Sequence, residues 1–276
     1  MISVKTNNSA IVALQNLNVT ETNLTQAQKQ ISTGLAVSSA QDNASVWAIA
    51  QGQRANVSAL GAVKSSLNRA SSIADVAQAA GSSVSDLLNQ IKSKIVAAMD
   101  SSLDASSRTL LNNDFQSLLQ EVAKTVSTAA FDGANMLDGS QASDLQFLAN
   151  ADGTSFVTLS SKDMSLGGSI LTLPSNQAID TVTNATGALA LVNASILNVN
   201  SALGNLGFQA NQIENHKTFI SKLQDTLTTG IGNLVDADMA KESAQLQALQ
   251  VQQQLGAQSL SLANSSPQVI LSLFKG

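Results

Sequence analysis

Apolar residues recur along most of the chain at alternating steps of three and four, the spacing of a helix face that packs against another helix. One uninterrupted series of apolar or small residues, called here the first seam, is Leu60, Val63, Leu67, Ala70, Ala74, Ala77, Gly81, Val84, Leu88, Ile91, Ile95 and Ala98. Because a helix rises about 1.5 Å per residue, this seam predicts a helix roughly 58 Å long. The small residues in its middle allow a neighbouring helix to approach closely.

Two further seams predict the partners of this helix. A second seam covers residues 192–234 and is about 64 Å long, so the two can lie side by side along their whole extent. A third, shorter seam covers residues 111–129, and residues 104–107 separate it from the first helix, a gap short enough to predict an antiparallel pair. The predicted core of this bundle is Leu67, Val84, Leu88, Ile91, Ile95, Phe115, Leu118, Ile196, Val199, Leu203, Leu206 and Ile213.

Each end of the chain carries an amphipathic helix pattern of its own. Ordering about 80 terminal residues costs on the order of 100 kcal/mol, and the few large apolar side chains there leave a lone helix pair marginal. We therefore expect copies of the same chain to cover the terminal stripes, in a contact that repeats without closing and so builds a fibre. The predicted subunit interface is Leu14, Leu17, Leu24, Ile31, Leu35, Ala244, Ala248, Val251, Leu255, Leu262, Leu271 and Phe274.

The middle of the chain has a different pattern. Asp132-Gly133 is a turn signal, and the two β-prone runs 144–150 and 154–160 are joined around Asp152-Gly153, which predicts a hairpin. Residues 140–188 are the only stretch that we expect to form β structure. The predicted fold is therefore mainly α: a long antiparallel helical bundle or coiled coil, with paired N- and C-terminal helices and a small β-hairpin region in the middle.

The composition argues against catalysis and nucleic-acid binding. The 276 residues include no Cys and one His, which excludes disulfides, thiolate metal sites and a Cys nucleophile, and argues against a His-based triad or metal site. Charged residues are 12 % of the chain, so an acid–base pair has no obvious place. The net charge is −5 with 14 Lys and Arg, which disfavours a phosphate-binding surface. We predict no enzymatic activity, no cofactor and no metal.

The sequence also bears on where the protein resides. No stretch approaches the run of about 18 apolar residues that a membrane span needs, so we expect no membrane insertion. The first ten residues lack the apolar segment of a secretory signal peptide. The protein is therefore expected to be cytosolic or to be exported by a route that does not use such a signal.

Three isolated features have ordinary structural interpretations. His216 is expected to be solvated or at the edge of the core, and Trp47 to anchor a helix contact. Asp236-Ala237-Asp238 begins like a calcium loop but lacks the Gly and Glu that follow in one. We predict that it caps a helix N-terminus.

Several motifs together carry a family resemblance. They are QISTGL at 30–35 with SSAQDNA at 38–44, FDGANMLDG at 131–139, DADMAKE at 236–242, and QQLG at 253–256 with the segment 263–274. These stretches resemble conserved stretches of the bacterial flagellins, the subunits of the flagellar filament. The resemblance covers about the first 140 and the last 85 residues.

The resemblance implies a structural subunit that polymerises into the extracellular filament used for swimming. It implies that residues 1–45 and 235–276 form an inner coiled-coil core, that 46–140 and 189–234 form a surrounding helical bundle, and that 141–188 are exposed at the surface. It also implies export through the flagellar type III apparatus without a cleavable signal peptide, and an export chaperone, a filament cap and hook-junction proteins as partners.

Two alternatives to the filament subunit remain at this point. One is a hook–filament junction protein of the same family, and the other is a soluble coiled-coil scaffold. The resemblance also bears on host recognition, since many flagellins carry an Arg- and Glu-bearing strip that an animal innate immune receptor reads. The matching stretch here, LNQIKSKI at residues 88–95, lacks that arrangement, so we predict weak recognition.

Overall fold

The computed structural model describes residues 6–141 and 143–273, with side chains described as far as residue 265. The fold is mainly helical with a small central β region, which confirms the predicted class. The helices are α1 (Asn8–Thr33), α2 (Ala44–Ala98), α3 (Ala105–Thr128), α4 (Val182–Val235) and α5 (Met239–Leu273). The strands are β1 (Ala130–Phe131), β2 (Ala134–Asn135), β3 (Leu145–Leu148) and β4 (Phe156–Leu159).

The chain divides into two compact units. The terminal unit consists of Met1–Ala55 and Thr226–Gly276, and the bundle unit consists of Asn56–Asp225. Both α2 and α4 contribute residues to each unit. The three-part division expected from the sequence stays a prediction.

In the bundle unit, α2 and α4 pair antiparallel. Gln224 Nε2 donates to the carbonyl of Val57 at 3.3 Å, and Ser85 Oγ donates to Asn200 Oδ1 at 3.3 Å. Every residue of the first seam is buried. The two helices are in close contact at Gly81, where an added Cβ would lie 2.6 Å from Leu203 Cδ2.

The third helix returns along α2, as the short connection predicts. Lys94 Nζ lies 2.7 Å from Asp114 Oδ2 across the pair. Asp104 caps the start of α3 by accepting from the backbone N–H of Ser107 at 2.6 Å. Arg108 is buried and donates to the carbonyls of Ala98, Asp100 and Leu103 at the end of α2, where helical carbonyls have no partners within the helix.

A first hairpin, β1–β2, lies outside the region expected to hold the β structure. Ala130 pairs with Asn135 and Phe131 with Ala134, around the two-residue turn Asp132-Gly133. Both turn residues have positive φ, 50° and 79°, as a type I′ turn requires. The sequence prediction recognised the turn but placed all β structure in 140–188, and this was wrong because flanking strands of two residues leave no alternating pattern to detect.

The second hairpin, β3–β4, is the one that the sequence predicts. It pairs antiparallel from Leu145 opposite Leu159 to Leu148 opposite Phe156. The backbone N–H of Leu148 donates to Ser66 Oγ on α2 at 3.2 Å, and that of Ser160 donates to Gln209 Oε1 on α4 at 3.1 Å. The hairpin is therefore held on both long helices of the bundle unit.

Among the described helices, α4 is the one long and apolar enough to cross a membrane by length and composition, with a mean hydropathy of 1.3 over 18 residues. The expectation that no stretch approaches this threshold was therefore too strong. A helix that packs in a protein core passes the same test, and α4 pairs with α2 and has Val199, Leu206 and Ile213 buried.

Candidate subunit interface

The terminal unit contains an antiparallel pair of α1 and α5. Asn7 Nδ2 donates to the carbonyl of Ala263 at 2.8 Å near one end of the pair. Further along, an added Cβ at Gly256 would lie 3.3 Å from Leu17 Cδ1, so the helices are in close contact there. Leu24, Ala27 and Leu249 form a buried cluster, with Leu246 packed against it. This cluster is small for helices of 26 and 35 residues.

Both ends of α1 and the start of α5 are capped. Asn7 Oδ1 accepts from the backbone N–H of Ala10 at 3.1 Å at the start of α1, and Gly34 ends α1 in the left-handed conformation with φ 71°. Asp238 Oδ1 accepts from the backbone N–H of Ala240 at 3.0 Å and of Lys241 at 3.2 Å at the start of α5. The interpretation of this segment as a helix cap is confirmed, and the described residues contain no group of side chains that could hold a metal ion.

The connections that follow α1 and α4 are tied together by their backbones. Ala237 N–H donates to the carbonyl of Gly34 at 2.9 Å, and Val37 N–H donates to the carbonyl of Val235 at 3.3 Å. These bonds flank an antiparallel bridge between Leu35 and Asp236. The bridge fixes where α1 ends relative to where α5 begins, and so sets the register of the helix pair.

A carboxylate organises the rest of the first connection. Asp42 lies 2.9 Å from Lys29 Nζ, and its Oδ2 accepts from the backbone N–H groups of Ser38 and Ser39 at 3.0 and 2.9 Å. The ammonium of Lys29, and next the hydroxyl of Ser38, hold the pKa of Asp42 well below its ordinary range. The charged carboxylate therefore ties the connection back to α1.

The predicted interface residues fall into three groups. Leu24 is buried inside the helix pair, and Leu17, Ile31 and Leu35 are half-buried in the terminal unit. The exposed group is Leu14, Ala244, Ala248, Val251, Leu255 and Leu262. Leu271 has no described side chain, and Phe274 lies outside the described residues.

The face that α5 turns towards α1 is not the predicted stripe. Leu246, Leu249 and Gly256 contact α1, whereas Leu255 and Leu262 are 56 % and 73 % exposed. Exposed apolar residues of α1 that sequence reasoning missed are Ile11, Val12 and Val19. They lie outside the heptad register of Leu14, Leu17 and Leu24. A second apolar face on the same helix is the sequence signal that could have identified them.

Charge is nearly absent from these exposed faces. The charged residues of α1 are Glu21 and Lys29, and those of α5 are Lys241 and Glu242 in its first turn. Large exposed apolar faces without charge mark protein–protein contact sites. The α1–α5 pair therefore carries exposed apolar side chains with little charge beside them.

The predicted bundle-core residues lie together in the bundle unit. Those that are buried are Leu67, Val84, Leu88, Ile91, Ile95, Phe115, Val199, Leu206 and Ile213, and those that are half-buried are Leu118, Ile196 and Leu203. On α3 the neighbouring Leu119 is the buried leucine, not Leu118. His216 is half-buried and its Nε2 lies 2.7 Å from the carbonyl of Ala149, so it lies at the edge of the core. Trp47 is half-buried as well.

A cleft of the bundle unit is poorly suited to catalysis. Its volume is about 550 Å³, and it lies between α2 and the two hairpins, where Ser65, Ser66, Ile73 and Arg69 line it. The Arg69 guanidinium lies 2.8 Å from the carboxylate of Asp132, and both side chains are largely exposed. The cleft offers a neutralised ion pair and hydroxyl groups, with no nucleophile set beside a base.

The structure defines a class of protein: a helical structural subunit whose chain ends pair and leave apolar faces exposed. Two family models match the sequence, that of the bacterial flagellin N-terminal helical region over residues 4–142 and that of the C-terminal helical region over 189–274. The chain belongs to the bacterial flagellin family. It is a subunit of the extracellular flagellar filament, a homopolymer that serves motility, and it is not an enzyme.

Full-length relatives support this assignment. Flagellin FljJ of Caulobacter vibrioides is 50 % identical over 277 residues, which cover 100 % of this chain and 99 % of the relative. Flagellin FljM of the same organism is 45 % identical over 99 % of this chain and 98 % of its own length. A flagellin of Brucella melitensis is 38 % identical with both chains fully covered. The filament-subunit interpretation of the sequence is confirmed over its alternatives.

A solved structure supports the fold alone. A putative flagellar hook-associated protein from Vibrio parahaemolyticus superimposes with a TM-score of 0.56, over 71 % of this chain and 100 % of that chain. The two sequences are 13 % identical, so the match describes a shared helical architecture.

Proposed function

We propose that the exposed apolar faces of α1 and α5 are the contacts through which copies of this chain join in the filament core. The supporting observation is that Leu14, Val251, Leu255 and Leu262 are exposed although their helices are already paired. In a lone chain these side chains stay in water, and a neighbouring copy would bury them. Ala244 and Ala248 extend the same face of α5, where small residues permit close approach.

The remaining interface residues have a different role in this proposal. Leu17 and Leu24 hold α5 against α1, and Ile31 and Leu35 lie where α1 meets the backbone bridge to residue 236. They present the exposed faces in register and do not themselves meet the neighbour. Leu271 and Phe274 stay assigned to the interface on the sequence pattern.

We extend the proposal to the layers of the filament. Residues 1–45 and 235–276 form its inner core, 46–140 and 189–234 the surrounding bundle, and 141–188 the outer surface. Membership of the flagellin family supports this arrangement. The same membership supports unfolded export through the type III apparatus, an export chaperone, a filament cap and hook-junction proteins as partners, and a role without membrane insertion or nucleic acid.

The substitution Leu255→Asp tests the interface. Because Leu255 is more than half exposed in the single chain, an aspartate there meets water and should leave the monomer folded. Buried against a second copy, the same group has no partner, which costs several kcal/mol for the neutral carboxyl and more for the charged carboxylate. We expect a soluble monomer with normal helix content that fails to extend filament seeds.

The matched control is Leu255→Met, which keeps an apolar side chain of similar volume at the same position. It should assemble close to the unmodified protein, as judged by sedimentation and negative-stain microscopy. Normal filament growth by Leu255→Asp, with the monomer folded as expected, would remove Leu255 from the interface and contradict the proposal.

A further inference from the structure

The bundle unit contains three turns or bends in which an aspartate precedes a glycine. They are Asp132-Gly133, Asp138-Gly139 and Asp152-Gly153, and each glycine has a positive φ, between 67° and 79°. An Asp-Gly peptide can rearrange, because a glycine without a side chain leaves its amide nitrogen free to attack the carboxyl group of the aspartate before it. Whether a pair does so depends on how freely that carboxyl group can turn back onto the nitrogen.

Two of the three aspartates are held by neighbouring groups. The carboxylate of Asp132 lies 2.8 Å from the guanidinium of Arg69. Asp138 Oδ1 accepts from the backbone N–H of Ser140 at 2.9 Å. The glycine that follows Asp138 is crowded as well, since a Cβ added there would lie 2.9 Å from Asp163 Oδ2. Both carboxylates must leave these contacts before they can react.

The third aspartate lies at the tip of the β3–β4 hairpin and is exposed. Among the residues that the structure describes, the Asp152 carboxylate has no hydrogen bond or ion pair. A Cβ added at Gly153 would meet one atom within 4 Å, Leu148 Cδ2 at 4.0 Å. The Gly153 N–H donates to the carbonyl of Asn150 at 3.3 Å, which is long for such a bond. The Asp152 carboxyl group is therefore free to turn towards an accessible amide nitrogen.

We propose that Asp152 is a site of spontaneous conversion to isoaspartate in the folded protein. The amide nitrogen of Gly153 attacks Cγ of the neutral carboxyl group, an N–Cγ bond forms, and the hydroxyl group leaves as water with the amide proton. The product is a five-membered succinimide ring. A water molecule then opens the ring at the former peptide carbonyl, so that the chain continues through Cγ and the α-carboxylate becomes the side group. One water leaves and one enters, and nothing is oxidised or reduced.

The conversion changes the hairpin turn without changing its charge. The backbone gains one carbon atom between Cα of Asp152 and the nitrogen of Gly153, so the hydrogen bond from Gly153 to Asn150 is expected to be lost. Asn150 Oδ1 also accepts from the backbone N–H groups of Thr154 and Ser155 at 3.0 and 3.1 Å, on the far side of the same turn. The site needs only the folded single chain, so the proposal goes beyond the filament function and does not depend on it.

Peptide mapping of the folded protein after weeks at neutral pH compares the three sites directly. Digestion and mass spectrometry locate the isoaspartate, and methyl transfer by an isoaspartyl methyltransferase measures its amount. Because breaking an exposed ion pair or a hydrogen bond first costs a factor of about five, we expect at least about fivefold more isoaspartate at Asp152 than at Asp132 or Asp138. An amount at Asp152 that does not exceed those at the other two sites would overturn the proposal.

Two controls separate the folded contacts from the local sequence. In concentrated urea the contacts are lost, so the three pairs should react at similar rates, and a preference for Asp152 that persists there would overturn the argument from the fold. Asp152→Glu is the matched variant, since it keeps the carboxylate but would have to form a six-membered ring. We expect it to remove the isoaspartate of this turn and to leave that at Asp132 and Asp138 unchanged. Undiminished methyl transfer to this variant would contradict the assignment of the site.

Discussion

We predict that replacing Arg108 strongly lowers the free energy of unfolding of the bundle unit. It is 8 % exposed and its guanidinium donates to the carbonyls of Ala98, Asp100 and Leu103, where α2 ends and the chain turns into α3. A cation at the C-terminus of a helix also interacts favourably with the helix dipole. The substitution Arg108→Met removes the donors while keeping most of the apolar stem.

The expected loss follows from the carbonyls left behind. Each hydrogen bond to a charged group contributes about 1.5–3 kcal/mol net to stability. In the variant, water can hydrogen-bond the part-buried carbonyls of Asp100 and Leu103 and so offset part of the loss. We therefore expect Arg108→Met to lower the free energy of unfolding by about 3 kcal/mol. For a unit of this size that corresponds to a fall in melting temperature of roughly 6–12 °C.

Thermal unfolding of the monomer, followed by far-ultraviolet circular dichroism, measures the effect. The matched control is Arg69→Met, the same chemical change at an arginine that is largely exposed in its ion pair with Asp132. Exposed ion pairs contribute less than about 1 kcal/mol, so this control should melt within a few degrees of the unmodified protein. Equal melting temperatures for the two variants would refute the reasoning that the buried carbonyls depend on Arg108.

Three further outcomes follow from the structure. The pKa of Asp42 in the folded protein lies below the value of about 3.9 in an unfolded chain, so its contribution to stability is present above that pH and lost as the pH falls further. The difference in melting temperature between Asp42→Asn and the unmodified protein should therefore shrink below about pH 4. A difference that stays constant with pH would contradict this. Gly133→Val forces a side chain into a left-handed turn at a cost of about 1–2 kcal/mol, whereas Gly133→Asn should cost less; equal amide-exchange protection of β1–β2 in both would contradict the turn argument. Residues 88–95 expose mainly Asn, Gln, Ser and Lys side chains, so purified protein should activate receptor-reporter cells weakly, and strong activation at low dose would disprove it.

Sequence reasoning succeeds where one physical requirement dominates. Every residue of the first seam, from Leu60 to Ala98, is buried. Its apolar or small residues at steps of three and four fit a helix that packs in a core and do not fit a strand. The β3–β4 hairpin is equally determined, because two apolar runs flank an Asp-Gly turn at Gly153, which has a φ of 67°. These elements have local or periodic signals strong enough to be recognised without knowledge of the tertiary structure.

The candidate interface is harder to predict because α5 offers two registers with the same spacing. One contains Leu246, Leu249 and Gly256, and the other contains Val251 and Leu255. Both fit steps of three and four, and the second holds more bulky side chains near its middle. What decides between them is the close approach of α1 at Gly256 and the backbone bridge at residue 236, and neither has a periodic signature.

The α4 helix illustrates how a second apolar face escapes a search for the first. Its inward residues Val199, Leu206 and Ile213 repeat every seven residues, which keeps one side of the helix on a partner that winds around it with left-handed twist. Its outward residues Leu197, Phe208 and Phe219 repeat every eleven, a period that drifts the opposite way around the helix. A surface that follows the eleven-residue period cannot also follow α2. The two periods therefore place the buried and the exposed apolar residues on different sides of one helix.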